Sequence, residues 1–314
     1  MIEATKNVDD PESEADVLII GAGAAGLAAA RALSTAKLNV TVLEARDRIG
    51  GRINTHFDSE LQAPVELGAE FVHGKPPETL KLVERTRLNL AEVPNDHWYF
   101  RDAVLSKSNE FWSKIEAVMQ ELDKQSGSDH SFEGFLDDYI RQHAIAEIRS
   151  MATLYVEGFH AAHADRISVK GLIKTNRAAA EIDDDTQLRP LNGYILIAQK
   201  LHDEAVEQGA SFHLGTVARE VAWNAGAVTV TTNSGARFKA RRLLVTLPLG
   251  VLQKGTVSFA PQLTAKDEAA QKLAVGQVVK VTLRFRERFW DELTLPTDDG
   301  KQSELKDFAF IHAP

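Results

Sequence analysis

Three glycines, Gly21, Gly23 and Gly26, follow the apolar run Asp16–Ile20 and open an alanine- and leucine-rich stretch from Ala24 to Leu33. A G-x-G-x-x-G spacing between a strand and a helix suits a pyrophosphate. The first glycine permits the tight turn, the second lets the main chain approach the phosphates, and the third lets helix and strand pack closely. The helix start, with Ala25 in it, offers N–H groups and the positive end of the helix dipole. Glu44 stands 23 residues after Gly21, at the end of a β-branched run from Asn39. Its carboxylate can accept hydrogen bonds from ribose hydroxyls and would repel a 2′-phosphate.

A second phosphate-type loop follows at once. In Glu44-Ala45-Arg46-Asp47-Arg48-Ile49-Gly50-Gly51-Arg52, two arginines, Arg46 and Arg52, flank two adjacent glycines. Glycines let the main chain lie against a phosphate, and guanidinium groups supply charge-assisted hydrogen bonds. NAD-binding units usually carry only the first loop, so the two together point to FAD. A solvated basic turn is the alternative for this segment.

These residues need a parallel sheet to hold them. Asp16–Ile20 suits a buried parallel strand, Ala24–Leu33 a helix and Asn39–Glu44 a second strand, together one right-handed βαβ unit. From Pro76 to about Arg177 the apolar spacing turns helical, over Phe111–Leu122, Phe132–Ile140 and Ile145–Phe159. Gln125–His130 and the run of three aspartates from Asp183 read as loops. A helix over Tyr194–Glu207 then ends before Gly209. Strands are predicted at Ser211–Leu214, Glu220–Trp223, Val228–Thr232, Leu243–Thr246, Val278–Phe285 and Phe308–His312, with a hairpin turn at Asn224–Gly226 and a helix near Leu263–Leu273. The expected fold is α/β: a Rossmann-like FAD-binding domain interrupted by a mostly helical substrate domain with additional strands. The first domain is assigned residues 15–77 and 191–258, the second 78–190 and 259–314, behind a flexible tail at 1–14.

The 314 residues, 44% hydrophobic and 26% charged, are ordinary for a globular chain and sufficient for two cores. A net charge of -9 argues against nucleic acid, which demands a basic surface. With no cysteine, this chain has no disulfide, thiolate metal site or cysteine nucleophile. His160 and His163 are three apart and could share a helix face, but no third metal ligand accompanies them, so no metal is expected. The first 15 residues lack the basic start and apolar core of a signal peptide. The apolar stretch Val17–Ala30 is too short to span a bilayer. The expectation is a soluble, cytoplasmic protein without a membrane or nucleic-acid partner, and no feature specifies an oligomeric state.

The segments VLIIGAGAAGLAAARAL and VTVLEARDRIGGRINT closely resemble the flavin-containing amine oxidase family. So do Pro64–Gly74 (PVELGAEFVHG), Leu243–Leu252 (LLVTLPLGVL) and Val279–Phe285 (VKVTLRF) before Phe289-Trp290. The resemblance implies FAD as cofactor, with Gly21, Gly23, Gly26 and Glu44 on its ADP half. It implies Arg46, Gly51 and Arg52 on the pyrophosphate and ribityl region, with Gly50 and Ala45 in the same loop. Leu67, Gly68, Ala69 and Glu70 would run beside the isoalloxazine, and Val217 would contact the adenine end. Lys280 would hold a water near flavin N5. Read from the residues alone, Lys280 is better taken as an edge or outward-facing lysine in a strand whose inner face is Val279, Val281 and Leu283. His73 could orient an amine or accept its proton, or be satisfied within a loop. Glu70 could attract a cationic amine or cap a turn.

The implied reaction is oxidation of a mono- or polyamine to an imine, which water hydrolyses, with O₂ reduced to H₂O₂. Family members continue well beyond Pro314, and their last segment returns to the flavin domain. Two other readings stand beside amine oxidation: a truncated, non-catalytic FAD-binding fragment, and a flavoenzyme of the carotenoid-desaturase or protoporphyrinogen-oxidase kind, which shares the N-terminal motif.

Overall fold

A computed structural model describes residues 14–94, 97–101, 104–107, 110–146, 148–184, 186–296, 302–304 and 310–312. The expected tail at 1–14 lies outside these apart from Glu14, as does Phe308 of the last expected strand. The chain forms two compact units. One comprises Met1–Glu70, Glu78–Leu90 and Pro190–Ala274; the other comprises Phe71–Pro77, Ala91–Arg189 and Val275–Pro314.

The first unit is built on the sheet that the glycine motif requires. Strand β1 (Ala15–Ile20) leads to helix α1 (Ala24–Thr35) and strand β2 (Val40–Leu43). A hairpin of β3 (Thr55–Asp58) and β4 (Ala63–Glu66) follows. The chain leaves through β5 (Val72–His73) and passes helix α2 (Pro77–Arg85), β6 (Leu90–Glu92), β7 (His97–Arg101) and β8 (Val104–Lys107). Four helices come next: α3 (Glu110–Leu122), α4 (Phe132–His143), α5 (Ile148–His160) and α6 (Val169–Ala180). Strand β9 (Gln187–Pro190) and helix α7 (Ile195–Glu207) precede β10 (Ser211–His213), β11 (Ala218–Asn224), β12 (Ala227–Thr232) and β13 (Arg237–Val245). The rest holds α8 (Leu249–Gln253), β14 (Ser258–Ala260), α9 (Thr264–Gln271), β15 (Thr294–Pro296), β16 (Gln302–Glu304) and β17 (Phe310–His312).

The main sheet has the order β10-β2-β1-β13-β12-β11-β14. Strands β10, β2, β1 and β13 run parallel, with β1 central and covered on both faces. That explains why its sequence is a continuous apolar run and not an alternating one. Val17 and Ile19 pack with Leu27 and Ala30 of α1 and Ile197 and Leu201 of α7. Leu18 and Ile20 pack on the other face with Val221, Val228, Val230 and Ala240. β11 and β12 form the expected hairpin, turning at Gly226.

The two units divide differently from the sequence expectation, and contacts explain why. Glu78–Leu90 joins the first unit because Leu82, Val83 and Leu88 pack into its core. Arg85 and Arg31 both pair with Glu204, tying α2 and α1 to α7. Helix α9 also joins it, since the Gln253 amide donates to the carbonyls of Ala270 and Leu273. Phe71–Pro77 joins the second unit, where β5 pairs antiparallel with β9.

The second unit has its own core, in which Ile115, Val118 and Leu122 of α3 pack with residues of α4, α5 and α6 such as Phe132, Leu136, Val156 and Leu172. Ser131 and Ser168 cap α4 and α6 by accepting from Gly134 and Gly171 N–H. No described helix is long and apolar enough to cross a membrane.

Val278–Phe285, expected as a strand, is not one. It forms no described strand, and Val279, Val281 and Leu283 are 86%, 72% and 69% exposed. An alternating run becomes a strand only when an edge takes its ladder hydrogen bonds and a surface covers its apolar side. No described strand pairs with this one. Phe285 packs with Phe289 and Trp290, giving the end of the segment a local aromatic cluster.

Candidate functional site

The glycine turn begins where β1 ends. Gly21 has φ of 107° and bonds through its N–H to Leu43 O at 2.8 Å, coupling the ends of β1 and β2. A Cβ on Gly26 would collide with the Gly21 carbonyl oxygen, so this position admits no side chain. Helix α1 has no acidic residue in its first turn and no side-chain cap. The Ala24 and Ala25 N–H groups therefore meet no described acceptor, leaving donors and a positive dipole end at the turn.

Glu44 is 6% exposed at the end of β2. Its Oε2 accepts the Ala22 N–H at 2.7 Å and its Oε1 accepts the Arg46 N–H at 2.9 Å. Two of a carboxylate's four acceptor positions are thus used to hold the two loops. Its carbonyl accepts from Thr216 N–H at 2.8 Å, and Arg46 O accepts from Gly215 N–H at 2.7 Å. This sets Val217 one residue beyond the Glu44 contact, with its own carbonyl bound by Asn233 N–H. Burial pushes the neighbouring His213 imidazole below its usual value, which keeps it neutral at neutral pH.

The second loop packs against the first. Gly50 donates to Ala22 O at 2.8 Å, and a Cβ on Gly51 would come within 3.0 Å of Gly23 Cα. The side chains of Arg46 and Arg52 are exposed at this loop. Beyond it, Leu67 donates to Asn54 O at 2.8 Å and Ala69 to Arg52 O at 3.1 Å. Leu67–Ala69 and Arg52–Asn54 therefore continue the two legs of the β3–β4 hairpin. Gly68 has no room for a Cβ against Arg52 O, and Leu67 is exposed. Glu70 is half-buried at the end of this leg. Glu66 anchors the hairpin, accepting from Thr55 Oγ1 at 2.7 Å and from Tyr194 N–H at 2.7 Å.

The first unit thus gathers Gly21, Gly23, Ala25, Gly26, Glu44, Ala45, Arg46, Gly50, Gly51, Arg52, Leu67, Gly68, Ala69, Glu70 and Val217. The arrangement fits a dinucleotide: a glycine turn with no room for a Cβ at Gly26, main-chain N–H groups at the helix start, and a buried carboxylate at the end of the second strand.

His73 and Lys280 belong to the second unit. His73 is exposed, stands opposite Gln187 across the β5–β9 ladder and meets the Phe71 ring edge-on at 6.1 Å. Arg189 lies over the same Phe71 ring at 5.0 Å. Lys280 lies in the exposed segment described above, not in a strand. His160 and His163 do not share a helix face. α5 ends at His160, Ala161 turns the chain with φ of 48°, and His163 falls beyond it, 3.9 Å from Glu157. Among the described residues no cluster of three histidine, cysteine or acidic side chains could hold a metal.

Two residues at the loops were not singled out by spacing. The Thr246 hydroxyl donates to Ile20 O at 2.9 Å and to Gly21 O at 3.2 Å. It reaches them because β13 pairs parallel with β1, Val245 beside Ile20. Arg48 donates to the carbonyls of Ile49, Gly51 and Ile53. Arg48 lay in plain view between the glycines and the arginines, but its target was not readable. Thr246 lies over two hundred residues from its partner, and only the register reveals it.

A family model described as "Flavin containing amine oxidoreductase" matches residues 24–311. Polyamine oxidase 3 of Oryza sativa subsp. japonica is 30% identical over 315 residues, covering 91% of this chain and 62% of its own length. Human lysine-specific histone demethylase 2 is 29% identical, covering 88% of this chain and 35% of its own length. Among solved structures, a triple mutant of putrescine oxidase is 25% identical with a TM-score of 0.66, covering 82% of this chain and 63% of the other. Cyclohexylamine oxidase from Brevibacterium oxydans IH-35A shares the fold, with a TM-score of 0.67. The chain spans about three-fifths of the length of the polyamine oxidases it matches. With a match running over nearly all its residues, and the two glycine loops in the arrangement described, the chain belongs to the flavin containing amine oxidoreductase family.

Proposed function

We propose that this chain binds FAD and forms part of an oxidoreductase that oxidises an amine, with O₂ as the electron acceptor. The observation that carries this reading is the meeting of two glycine loops around Glu44, whose buried carboxylate holds Ala22 and Arg46 N–H together. The pyrophosphate would be held by the helix start at Gly23–Gly26 and by the loop at Gly50–Arg52. Glu44 would accept from the ribose hydroxyls, and Val217 would meet the adenine end. Leu67–Glu70 would run beside the flavin ring. The names of the relatives, polyamine and putrescine oxidases, support an aliphatic amine as substrate.

Bound FAD would supply the two-electron chemistry, taking a hydride equivalent from the amine's α-carbon. The chain's own part is to hold the cofactor. The net reaction consumes the amine, O₂ and water, and releases a carbonyl compound, the residual amine or ammonia, and H₂O₂. His73 and Lys280 are proposed as the residues that orient the amine and hold water, on the family resemblance.

One observation favours a second reading, in which the chain binds FAD without turning over an amine. The segment containing Lys280 is exposed and forms no strand. One experiment separates the two. The purified chain is loaded with FAD, its flavin absorbance recorded, and putrescine, spermidine and benzylamine added under anaerobic and aerobic conditions. Bleaching by an amine followed by H₂O₂ release on admitting air supports the oxidase. Bound flavin that no amine bleaches supports the second reading, and failure to retain FAD sinks both.

A further inference from the structure

Arg48 stands inside the second loop but points none of its hydrogen bonds outward. Its Nη1 donates to Ile49 O at 3.2 Å and to Ile53 O at 3.2 Å, and its Nη2 to Gly51 O at 3.1 Å. The side chain is half-buried, and no described carboxylate pairs with it. A guanidinium is a rigid planar fork that carries its charge at any physiological pH. Here that fork gathers three carbonyls from alternate residues onto one side of the loop.

The consequence follows from the planarity of the peptide. In a trans peptide the carbonyl and the N–H of the next residue point in opposite directions. With Ile49 O held on Arg48, the Gly50 N–H points the other way, and it donates there to Ala22 O of the glycine turn. With Gly51 O held on Arg48, the Arg52 N–H is turned to that same opposite side. The Arg52 N–H has no described acceptor. Gly50 and Gly51, at φ of 98° and 62°, supply the backbone conformation that lets alternate carbonyls reach one group.

We propose that Arg48 is a positioning residue for the cofactor's pyrophosphate, holding the Ile49 and Gly51 carbonyls away so that the free Arg52 N–H faces the glycine turn. An unheld loop would present carbonyl oxygens to the phosphates as readily as N–H groups. The uncompensated guanidinium adds positive potential behind the loop. The inference rests on the FAD reading and names a residue that would not touch the cofactor.

The test measures ADP and adenosine binding by calorimetry to wild type, Arg48→Lys and Arg48→Met, with thermal unfolding of each ligand-free protein as a control. Lysine keeps the charge but cannot span three carbonyls in a plane. Both variants are expected to lose about tenfold or more in ADP affinity, the scale of a charged hydrogen-bond set, while adenosine binding stays within about twofold. Full rescue by lysine, or equal weakening of ADP and adenosine, overturns the proposal. So does ADP affinity within about twofold of wild type in both variants, since one lost charged bond exceeds that. If Arg48→Met does not fold, Arg48→Lys alone decides, by the ratio of its ADP and adenosine losses. Wild type that binds neither FAD nor ADP removes the FAD reading itself, a different result from a silent substitution.

Discussion

The glycine loops at 21–52 and the apolar segment at 275–289 both carry clear sequence signals, yet only one becomes the structure its signal describes. The loops fold as their spacing demands because their partners are close in the chain or in the adjoining parallel strand. Gly21 binds Leu43, Glu44 binds Ala22 and Arg46, and Gly50 binds Ala22. The segment Val278–Phe285 has alternating β-branched residues but no described neighbouring strand, and its valines stay exposed. A turn satisfies itself locally, whereas a strand is half of a pair. Local chemistry and pairing chemistry are thus read with different certainty from the same sequence.

The comparison is broken most forcefully at Gly26. Gly26→Val puts a branched side chain into the Gly21 carbonyl and should cost more than about 2 kcal/mol of stability in the first unit, along with FAD binding. Denaturant unfolding and flavin retention check this. A valine variant that keeps both would mean the turn is looser than its contacts imply.

Thr246→Val tests the one long-range tie at the turn. It removes the hydroxyl bonds to Ile20 O and Gly21 O and keeps the shape, so a loss of about 1 kcal/mol is expected. Thr246→Ser should recover most of it. If valine is as stable as threonine, the turn is held by local contacts alone, and the comparison becomes sharper.

The smallest effect is expected in the other region. Val279→Thr with Val281→Thr exchanges two exposed side chains and should alter stability by less than about 0.5 kcal/mol in this chain. A fall of several degrees in melting temperature would show that these valines are covered in solution, and would restore the strand the alternation predicts.

The core of the nucleotide unit was legible because its signals are local or continuous. The run from Asp16 to Ile20 reads as a doubly covered strand, Ala24 begins the helix, and Glu44 ends the second strand, all within two residues of the observed bounds. The hairpin at Gly226 and the helices at Phe111, Phe132 and Tyr194 were legible for the same reason. Helix α2 was less so. Its apolar residues are few, and its place in the first unit comes from Leu82 and Val83 against the core and from Arg85 on Glu204. His160 and His163 could not share a face because α5 ends at His160, one residue beyond the Phe159 at which the helical spacing stops, and Ala161 turns the chain.

Sequence by itself determined where the glycine turn, the second glycine loop and the carboxylate at the strand end would stand, since these are constraints on the local main chain. It also determined that β1 would be buried on both faces. Tertiary structure alone decided that Thr246 closes the glycine turn and that Val278–Phe285 meets no described strand. Those outcomes depend on which strand lies beside which, and in what register, and that is a property of the whole sheet and of no single segment.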